Sequence, residues 1–490
     1  MYRKKDRNQL EFEDFSLPFG GKLRSDNRWM KLVKIIPWDE LEDQYATLFS
    51  EDQGAPAKSF RMALGALLIK ERLCLTDEET VEQIRENPYL QYLVGLTEYC
   101  DDAPFDPSMM VHFRKRLTNT IINEINERIV KVSINRGNDT SRPNGDNGAS
   151  GSDSGELPEV KPDENSGIMM VDASVTPADI AYPTDLNLLN HAREKLEENI
   201  DVLYKPHKTE MAKPRTYRNL ARRDYLHAAK KRKLPLHQLR KAIRKQLQYL
   251  QRDFRHIDTL IDRYNGLNTL TRRQYRDVLV IRELCRQQEY MYRNNTHSIE
   301  DRIVSISQPH VRPMVRGKAS AAVEFGAKIV VSRVEGYAFL EHRSWDAFNE
   351  STLLQDQING YRTRFGCYPG AVLVDKLYRN RDNIRFCKEH GIRMSGPRLG
   401  RPSKDADDDR KREREDSGMR NGIEGTFGTG KRKYGLGRIM TKLISTSESS
   451  IAMIILVMNL EKRLRVIFIH LVLRYISAFA RLQSLQFEGI

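Results

Sequence analysis

The rhythm of apolar and polar positions changes along the chain, and each change predicts a different kind of element. From Phe60 to Ile69 apolar residues are almost continuous, which predicts a helix at the centre of a small bundle, with Trp29 and Trp38 as packing anchors before it. Thr76-Asp77-Glu78-Glu79 reads as a capping box opening a helix through Val81 and Ile84, which Pro88 closes. Asp106-Pro107-Ser108 reads as a turn or cap before a short stripe of Met109, Met110, Phe113 and Leu117. Residues 136–166 are rich in Gly, Asn, Ser, Asp and Pro and almost free of apolar side chains, so they predict a flexible linker.

A strand pattern begins at once afterwards, in Gly167-Ile168-Met169-Met170-Val171-Asp172. Asp185 is the expected cap of a following helix. Leu239, Ile243, Leu247, Leu250, Phe254, Ile257, Ile261 and Tyr264 step by fours and threes and predict a long helix with a coiled-coil-like seam. Asn265-Gly266 ends it, and a second helix through Leu284 suggests an antiparallel hairpin, open to a dimerising role. Arg302–Ile306 reads as a short strand or its approach, and Val311-Arg312-Pro313 and Arg316-Gly317-Lys318 as turns rich in base. The run 327–334, Glu335-Gly336 and 337–340 predicts a β-hairpin. A helix from Leu353 to Phe365 follows, then a buried strand, Ala371–Val374, ending at Asp375. A helix through Ile384 and Cys387, with Gly391 as its C-terminal turn residue, leads to a short strand at Ile392–Ser395. Residues 397–418 read as a charged loop whose acids, Asp405 and Asp407–Asp409, are solvated. Glu448–Leu460 predicts an apolar helix, and the tail beyond Arg463 is apolar at helical density.

The divisions expected are a helical domain (1–135), the linker (136–166), an α/β domain (167–464) with a helical basic insertion (190–300), and an apolar tail (465–490). Without the insertion, the α/β order is β-β-β-α-β-α-β-α, which suits an RNase H-like core: a mixed sheet with helices on its faces.

Charge adds a partner. The chain of 490 residues carries a formal net charge of +14, and between Lys205 and Lys245 stand 15 Lys and Arg against two acids. That stretch includes Arg222, Arg223, Lys230, Lys231, Arg232 and Lys233, with Tyr204, Tyr217 and Tyr225 interleaved, placed to stack on bases or to pack in the seam. Such a balance points to a polyanion, nucleic acid first. Arg114 and Arg116 beside the Met109–Leu117 stripe offer a second basic face, for DNA backbone or simply for solvent. Five scattered cysteines without a C-x-x-C pair argue against a disulfide scaffold or a zinc site. Neither a signal peptide nor a membrane span is expected, so a cytoplasmic, nucleoid-associated protein is.

Asp172 and Asp375 each end an apolar strand, and Glu424 lies in Met419-Arg420-Asn421-Gly422-Ile423-Glu424, four residues from Arg420 and seven before Lys431. Any one of these acids could be a cap or a surface charge. Together, three oxygen donors repel one another unless cations neutralise them, and hard cations such as Mg²⁺ suit them. Two ions about 4 Å apart would support in-line phosphoryl transfer.

Arg420-x3-Glu424-x6-Lys431 resembles the C-terminal signature Y-x2-R-x3-E-x6-K of insertion-sequence DDE transposases. Val374-Asp375-Lys376-x-Tyr378, Gly396-Pro397-x-Leu399-Gly400-Arg401-Pro402, Gly428-x-Gly430-Lys431-Arg432-x-Tyr434-Gly435 and Met458-Asn459-Leu460 look like members of that group too. Residues 50–120, with Phe113-Arg114-x-Arg116, resemble the helical DNA-binding domain that precedes such cores. The resemblance implies Asp172, Asp375 and Glu424 as catalytic and metal-holding residues, and two Mg²⁺ as cofactor with Mn²⁺ able to substitute. It implies phosphate contacts from Arg420 and Lys431, and Arg398 and Arg401 join the basic set. The implied reaction is cleavage at the terminal inverted repeats of an element and strand transfer into target DNA, by a dimer or larger synaptic complex on double-stranded DNA. The departure is Ser417, which stands at the signature's tyrosine. A catalytically silent DNA-binding descendant, an RNase H-like nuclease and a helical scaffold are the alternatives.

Overall fold

The computed structural model describes residues 2, 15–50, 56–139, 165–264, 266–318, 321–396 and 406–487. The 140–164 part of the expected linker, and Arg398 and Arg401, lie outside them. The chain divides into two compact units, one made of 1–176, 329–343 and 349–490, the other of 177–328 and 344–348.

The first unit opens with seven helices: α1 (Arg28–Ile35), α2 (Trp38–Ala46), α3 (Phe60–Leu73), α4 (Asp77–Glu86), α5 (Pro88–Leu93), α6 (Met109–Arg116) and α7 (Asn119–Asp139). α3 is the buried centre that its apolar run predicts; the Ser59 hydroxyl caps it by accepting from the Met62 N–H. Thr76 accepts from the Glu79 N–H at the start of α4. Pro88 opens α5 rather than merely closing α4, since proline at the first helical position forfeits no hydrogen bond.

Strand β1 (Ile168–Pro177) follows. The second unit then supplies α8 (Asp185–Tyr204), α9 (Arg218–Ala229), α10 (Leu236–Tyr264), α11 (Arg272–Asn294) and β2 (Arg312–Lys318), which pairs antiparallel with the first half of β3 (Ala321–Val334). The helical pair expected from the sequence is a three-helix packing: α10 lies chiefly against α8, and Leu189, Leu196, Ile200, Leu250, Ile257, Ile281 and Leu284 are fully buried in one core. Thr184, not Asp185, caps α8; the Asp185 carboxylate accepts instead from Gln288 Nε2 (2.9 Å) and Arg302 (2.8 Å). Residues 302–306 form no strand, and 312–318 form one where turns are expected. Pro313 is tolerated there because proline's missing donor is least costly at a strand end or edge.

From Ile329 β3 belongs to the first unit, which continues through β4 (Tyr337–Ser344), α12 (Leu354–Phe365), β5 (Ala371–Leu373), α13 (Arg381–Glu389), β6 (Arg393–Met394), α14 (Ala406–Lys433) and α15 (Ile444–Phe487). The β3–β4 turn is Glu335-Gly336, both at positive φ (48° and 76°), as a two-residue turn of the primed type requires. Strands run in the order β4-β3-β1-β5-β6, with β1–β5 and β5–β6 parallel, a mixed sheet flanked by helices and preceded by an all-α region. This matches the general element order read from the sequence.

Two expectations at the C-terminal end are corrected. The part of 397–418 that is described is helix, the first half of α14. Asp405 lies outside the described residues; Asp407 and Asp408 sit exposed in the first turn, where they complement the helix dipole, with Asp407 pairing Arg410 at 3.4 Å. The helix continues beyond Leu460 to Phe487 as one α15, whose Ile451–Leu456 are buried against α3, α6 and α7. Ser449 Oγ donates to the Arg114 carbonyl (2.9 Å), and Arg463 to that of Ile129 (3.2 Å). Among the described residues no helix is long and apolar enough to cross a membrane.

Candidate functional site

In β1, Ile168, Met169 and Met170 stand opposite Ala371, Val372 and Leu373 of β5. Asp172 and Asp375 each lie two residues beyond the last pair of this parallel register, Asp172 still within β1 and Asp375 in the turn after β5. β5 stops one residue short of Val374, and Asp375 begins a single 3₁₀ turn, its Oδ1 accepting from the Lys376 N–H at 2.6 Å. The loop is held from both sides. Ser395 Oγ accepts from the Val374 N–H (3.0 Å), and buried Asn383 donates to the carbonyls of Ser351 (2.8 Å) and Tyr378 (2.9 Å).

Glu424 comes from α14, which carries Arg420, Glu424 and Lys431 on one stripe because the whole signature is helical. α14 is anchored by Asp416, buried, which takes both ends of the Arg393 guanidinium of β6 (2.6 and 2.9 Å). Arg420 lies between two of the acids: its Nη1 is 3.3 Å from Asp375 Oδ1 and its Nη2 3.7 Å from Glu424 Oε1. Asp375 and Glu424 are exposed, and Asp172 is half-buried.

The electrostatics tie these groups together. Burial pushes the Asp172 carboxyl above its ordinary range, Asp375 and Glu424 push it the same way, and the Ala173 N–H and Arg420 oppose them. Tyr378, fully buried under the loop, has its phenol raised first by burial and then by Asp172, Glu350 and Asp375. Its hydroxyl has no hydrogen-bond partner among the described residues. In the sequence Tyr378 is legible only as part of a motif; its place near Asp172 and Asp375 follows from the turn that Asp375 starts.

Could these residues hold a metal? The donor set is right in kind for a hard cation, three carboxylates and no sulfur or imidazole. Yet among the described residues no three acidic, His or Cys side chains are gathered closely enough to grip one. Arg420 neutralises Asp375 and Glu424 in this arrangement, so loading a cation requires the guanidinium to swing aside.

The basic residues fall into two groups. Arg222, Arg223, Lys230 and Lys231 are exposed and line, with Asn219, Leu226 and His227, an open depression of about 610 Å³ on α9; Arg232 and Lys233 follow, also exposed. Within the same stretch Lys213 and Arg218 pair with Asp201, and Lys245 with Asp224. Tyr204 and Tyr225 donate to the Met211 carbonyl (3.1 Å) and Asn187 (3.1 Å), while Tyr217 stacks under Arg252 (4.6 Å). The N-terminal pair departs from expectation. Arg114 is buried and held bidentately by Asp77 (2.9 and 2.6 Å), with Lys70 against the same carboxylate, so it secures α6 to α4 instead of facing DNA. Arg116 lies over the Phe49 ring at 4.6 Å. An Arg next to a bulky apolar neighbour looks the same in sequence whether it turns outward or pairs inward.

Comparison with known proteins adds two family matches. Residues 372–461 match a family described as transposase DDE domain, and residues 18–116 one described as transposase domain (DUF772). A protein of Rhizobium meliloti, named as uncharacterized protein ORF8 in the nfe locus, is 30% identical over 167 residues, 34% of this chain and 70% of that protein. No solved structure matches. The β5–α15 segment and the α1–α6 helices thus each match a transposase domain, and the two matches support a transposase family assignment.

Proposed function

We propose that the chain is a DNA transposase with an RNase H-like core, which cleaves at the terminal inverted repeats of its element and transfers the strand into target DNA, using Asp172, Asp375 and Glu424. The observation that carries this reading is that Asp172, on β1, is acted on electrostatically by Asp375, which follows the parallel strand β5, and by Glu424 and Arg420 of α14. Asp172, Asp375 and Glu424 would hold two Mg²⁺ ions, or Mn²⁺. When bound, the metals activate a water or a 3′-hydroxyl and stabilise the leaving oxygen.

The chain's own residues do the rest. Arg420, displaced from Asp375 and Glu424, turns its fork to a phosphate of the reacting strand, and Lys431 adds a point charge one stripe further along α14. The loop clamped by Ser395 and Asn383 keeps Asp375 in place while its partner changes. Tyr378 excludes water from beneath the acids. The exposed Arg222, Arg223, Lys230, Lys231, Arg232 and Lys233 neutralise backbone phosphates of double-stranded DNA, and the 1–135 helices contribute recognition of the element ends. Two ends must be held at once, so a dimer or larger synaptic complex is the working form, in the cytoplasm at the nucleoid.

One observation favours a second reading, a catalytically silent DNA-binding descendant: Arg420 pairs with both Asp375 and Glu424, and Ser417 stands where the signature has tyrosine. Strand cleavage on labelled duplexes carrying the DNA that flanks the gene, with Mg²⁺ or Mn²⁺, decides between them. Site-specific nicking by the wild type that vanishes in Asp375→Asn, with DNA binding kept, is the expected result. Binding without cleavage by either protein supports the silent descendant, and absence of both binding and cleavage overturns the two readings together.

A further inference from the structure

Arg333 and Lys462 meet at the β3–β4 turn, away from the carboxylates. Arg333 Nη2 and Lys462 Cε each lie 3.2 Å from the point where a Cβ on Gly336 would stand, and Lys462 Nζ is closer still. On its other side the Arg333 guanidinium fills the notch left by Gly422, with Cζ 3.0 Å from a would-be Cβ there. Two glycines therefore make room for two cations. Gly422 stands midway between Arg420 and Glu424 in α14, about 200° round the helix from Arg420.

The pair is poorly compensated. Among the described residues, Arg333 Nε is buried with no hydrogen-bond partner, and Nη1 reaches Met170 Sδ, a weak acceptor at 3.6 Å. Among the described residues no carboxylate acts on it; burial alone weakens its hold on the proton. Lys462 Nζ donates to the Glu335 carbonyl and sits 4.0 Å from the Tyr337 ring centroid. Burial first, then Arg333, bring its ammonium down to about 8, with the Glu335 carboxylate opposing. A side chain needed only to fill the Gly422 notch would be better apolar, since an unmet guanidinium N–H and a neighbouring like charge both cost stability. Both groups stay partly open to solvent, so an anion can reach them.

We propose that Arg333 and Lys462, converging over Gly336 and beside Gly422, form a binding site for a phosphate-type oxyanion. The guanidinium fork and the ammonium together match the oxygens of a phosphate mono- or diester. Its source is a backbone phosphate of DNA, an assignment that rests on the proposed function, or free phosphate, which does not. With DNA bound, α14 would carry phosphate contacts on two faces.

The test is the reactivity of Lys462 in the full chain. Acetylation by an N-hydroxysuccinimide ester at pH 7.5 is followed by peptide mass spectrometry, at matched ionic strength in chloride, in inorganic phosphate and with a short duplex. DNA binding is read on the same samples by mobility shift. An amine at about 8 is about a quarter unprotonated at this pH; returned to the ordinary lysine value it would react about 200-fold more slowly. Slowing of about 10-fold or more by phosphate and by duplex is expected, lost in Arg333→Met and kept in Arg333→Lys, with unchanged thermal midpoints as the folding control. Slowing by phosphate but not by a duplex that demonstrably binds keeps the oxyanion site and removes DNA as its source. Equal labelling rates in all three media overturn the site, whatever the cleavage assay shows.

Discussion

Asn459 offers the sharpest test of how the first unit holds its sheet edge. β4 pairs with β3 on one side only, so Ala338 presents an unpaired N–H and C=O on the other. Asn459 of α15, buried, meets both: its Oδ1 accepts from the Ala338 N–H at 2.8 Å and its Nδ2 donates to the Ala338 carbonyl at 2.7 Å. The same Nδ2 donates to Asn126 Oδ1 of α7 (2.7 Å), and Asn126 Nδ2 returns a bond to the Ala338 carbonyl (3.1 Å). Two amides thus stand in for a missing strand. Asn459→Ala orphans the Ala338 N–H and Asn126 Oδ1. At about 1–3 kcal/mol for each unmet buried group, the cost is about 2–6 kcal/mol. Asn126→Ala is milder, about 1 kcal/mol, because Asn459 still serves both Ala338 groups. Asn459→Asp should be at least as harmful as Asn459→Ala, since a carboxylate would face two acceptors. Hydrogen exchange of the peptide covering β4 reads this locally, unaffected by unfolding of the second unit. Protection should drop about 30-fold to about 20,000-fold in Asn459→Ala, at tenfold per 1.4 kcal/mol. A drop below threefold, or a larger effect from Asn126→Ala, would refute the substitute-strand argument.

Two further outcomes follow from buried groups. Asp253 of α10 is fully buried with both oxygens unpartnered among the described residues; burial and Glu197 push its carboxyl up to about 8, against Arg193, Arg252 and Arg218. Its folded value lies above the unfolded one, so the folded state binds the extra proton and the second unit should lose stability as pH rises from about 4 through 8. Asp253→Asn should flatten that slope in urea melts at pH 5 and 8.5; an unchanged slope would show that Asp253 is not the group. Gly422→Ala should destabilise α14 because the new methyl meets the Arg333 guanidinium, whereas in an Arg333→Ala background the same change should stabilise by about 0.5–1 kcal/mol, the ordinary helical gain. Thermal midpoints of the four proteins check the sign reversal.

Much of the molecule was decided locally and was therefore readable. The α3 run, the Thr76 cap, the β3–β4 turn, the apolar β5 leading to Asp375 and the long α10 seam are each set by periodicity or turn chemistry within a dozen residues. The parallel pairing of β1 with β5 could be anticipated, because two apolar runs, each next to an acid, favour one sheet. The first half of α14 was not legible: it has almost no apolar residues to repeat, and charge alone does not separate a solvated helix from a loop. The direction of Arg114 was equally hidden, since its partner Asp77 is distant in sequence and only the packing of α6 on α4 brings the two together. The tertiary structure alone decided that α15 returns to the N-terminal helices, that Arg420 stands between Asp375 and Glu424, and that Gly336 and Gly422 admit Arg333 and Lys462. Sequence determines what each segment can become, through propensities that act over a few residues. Which charges end up facing one another depends on contacts between remote segments, whose energies exist only once the chain has closed on itself.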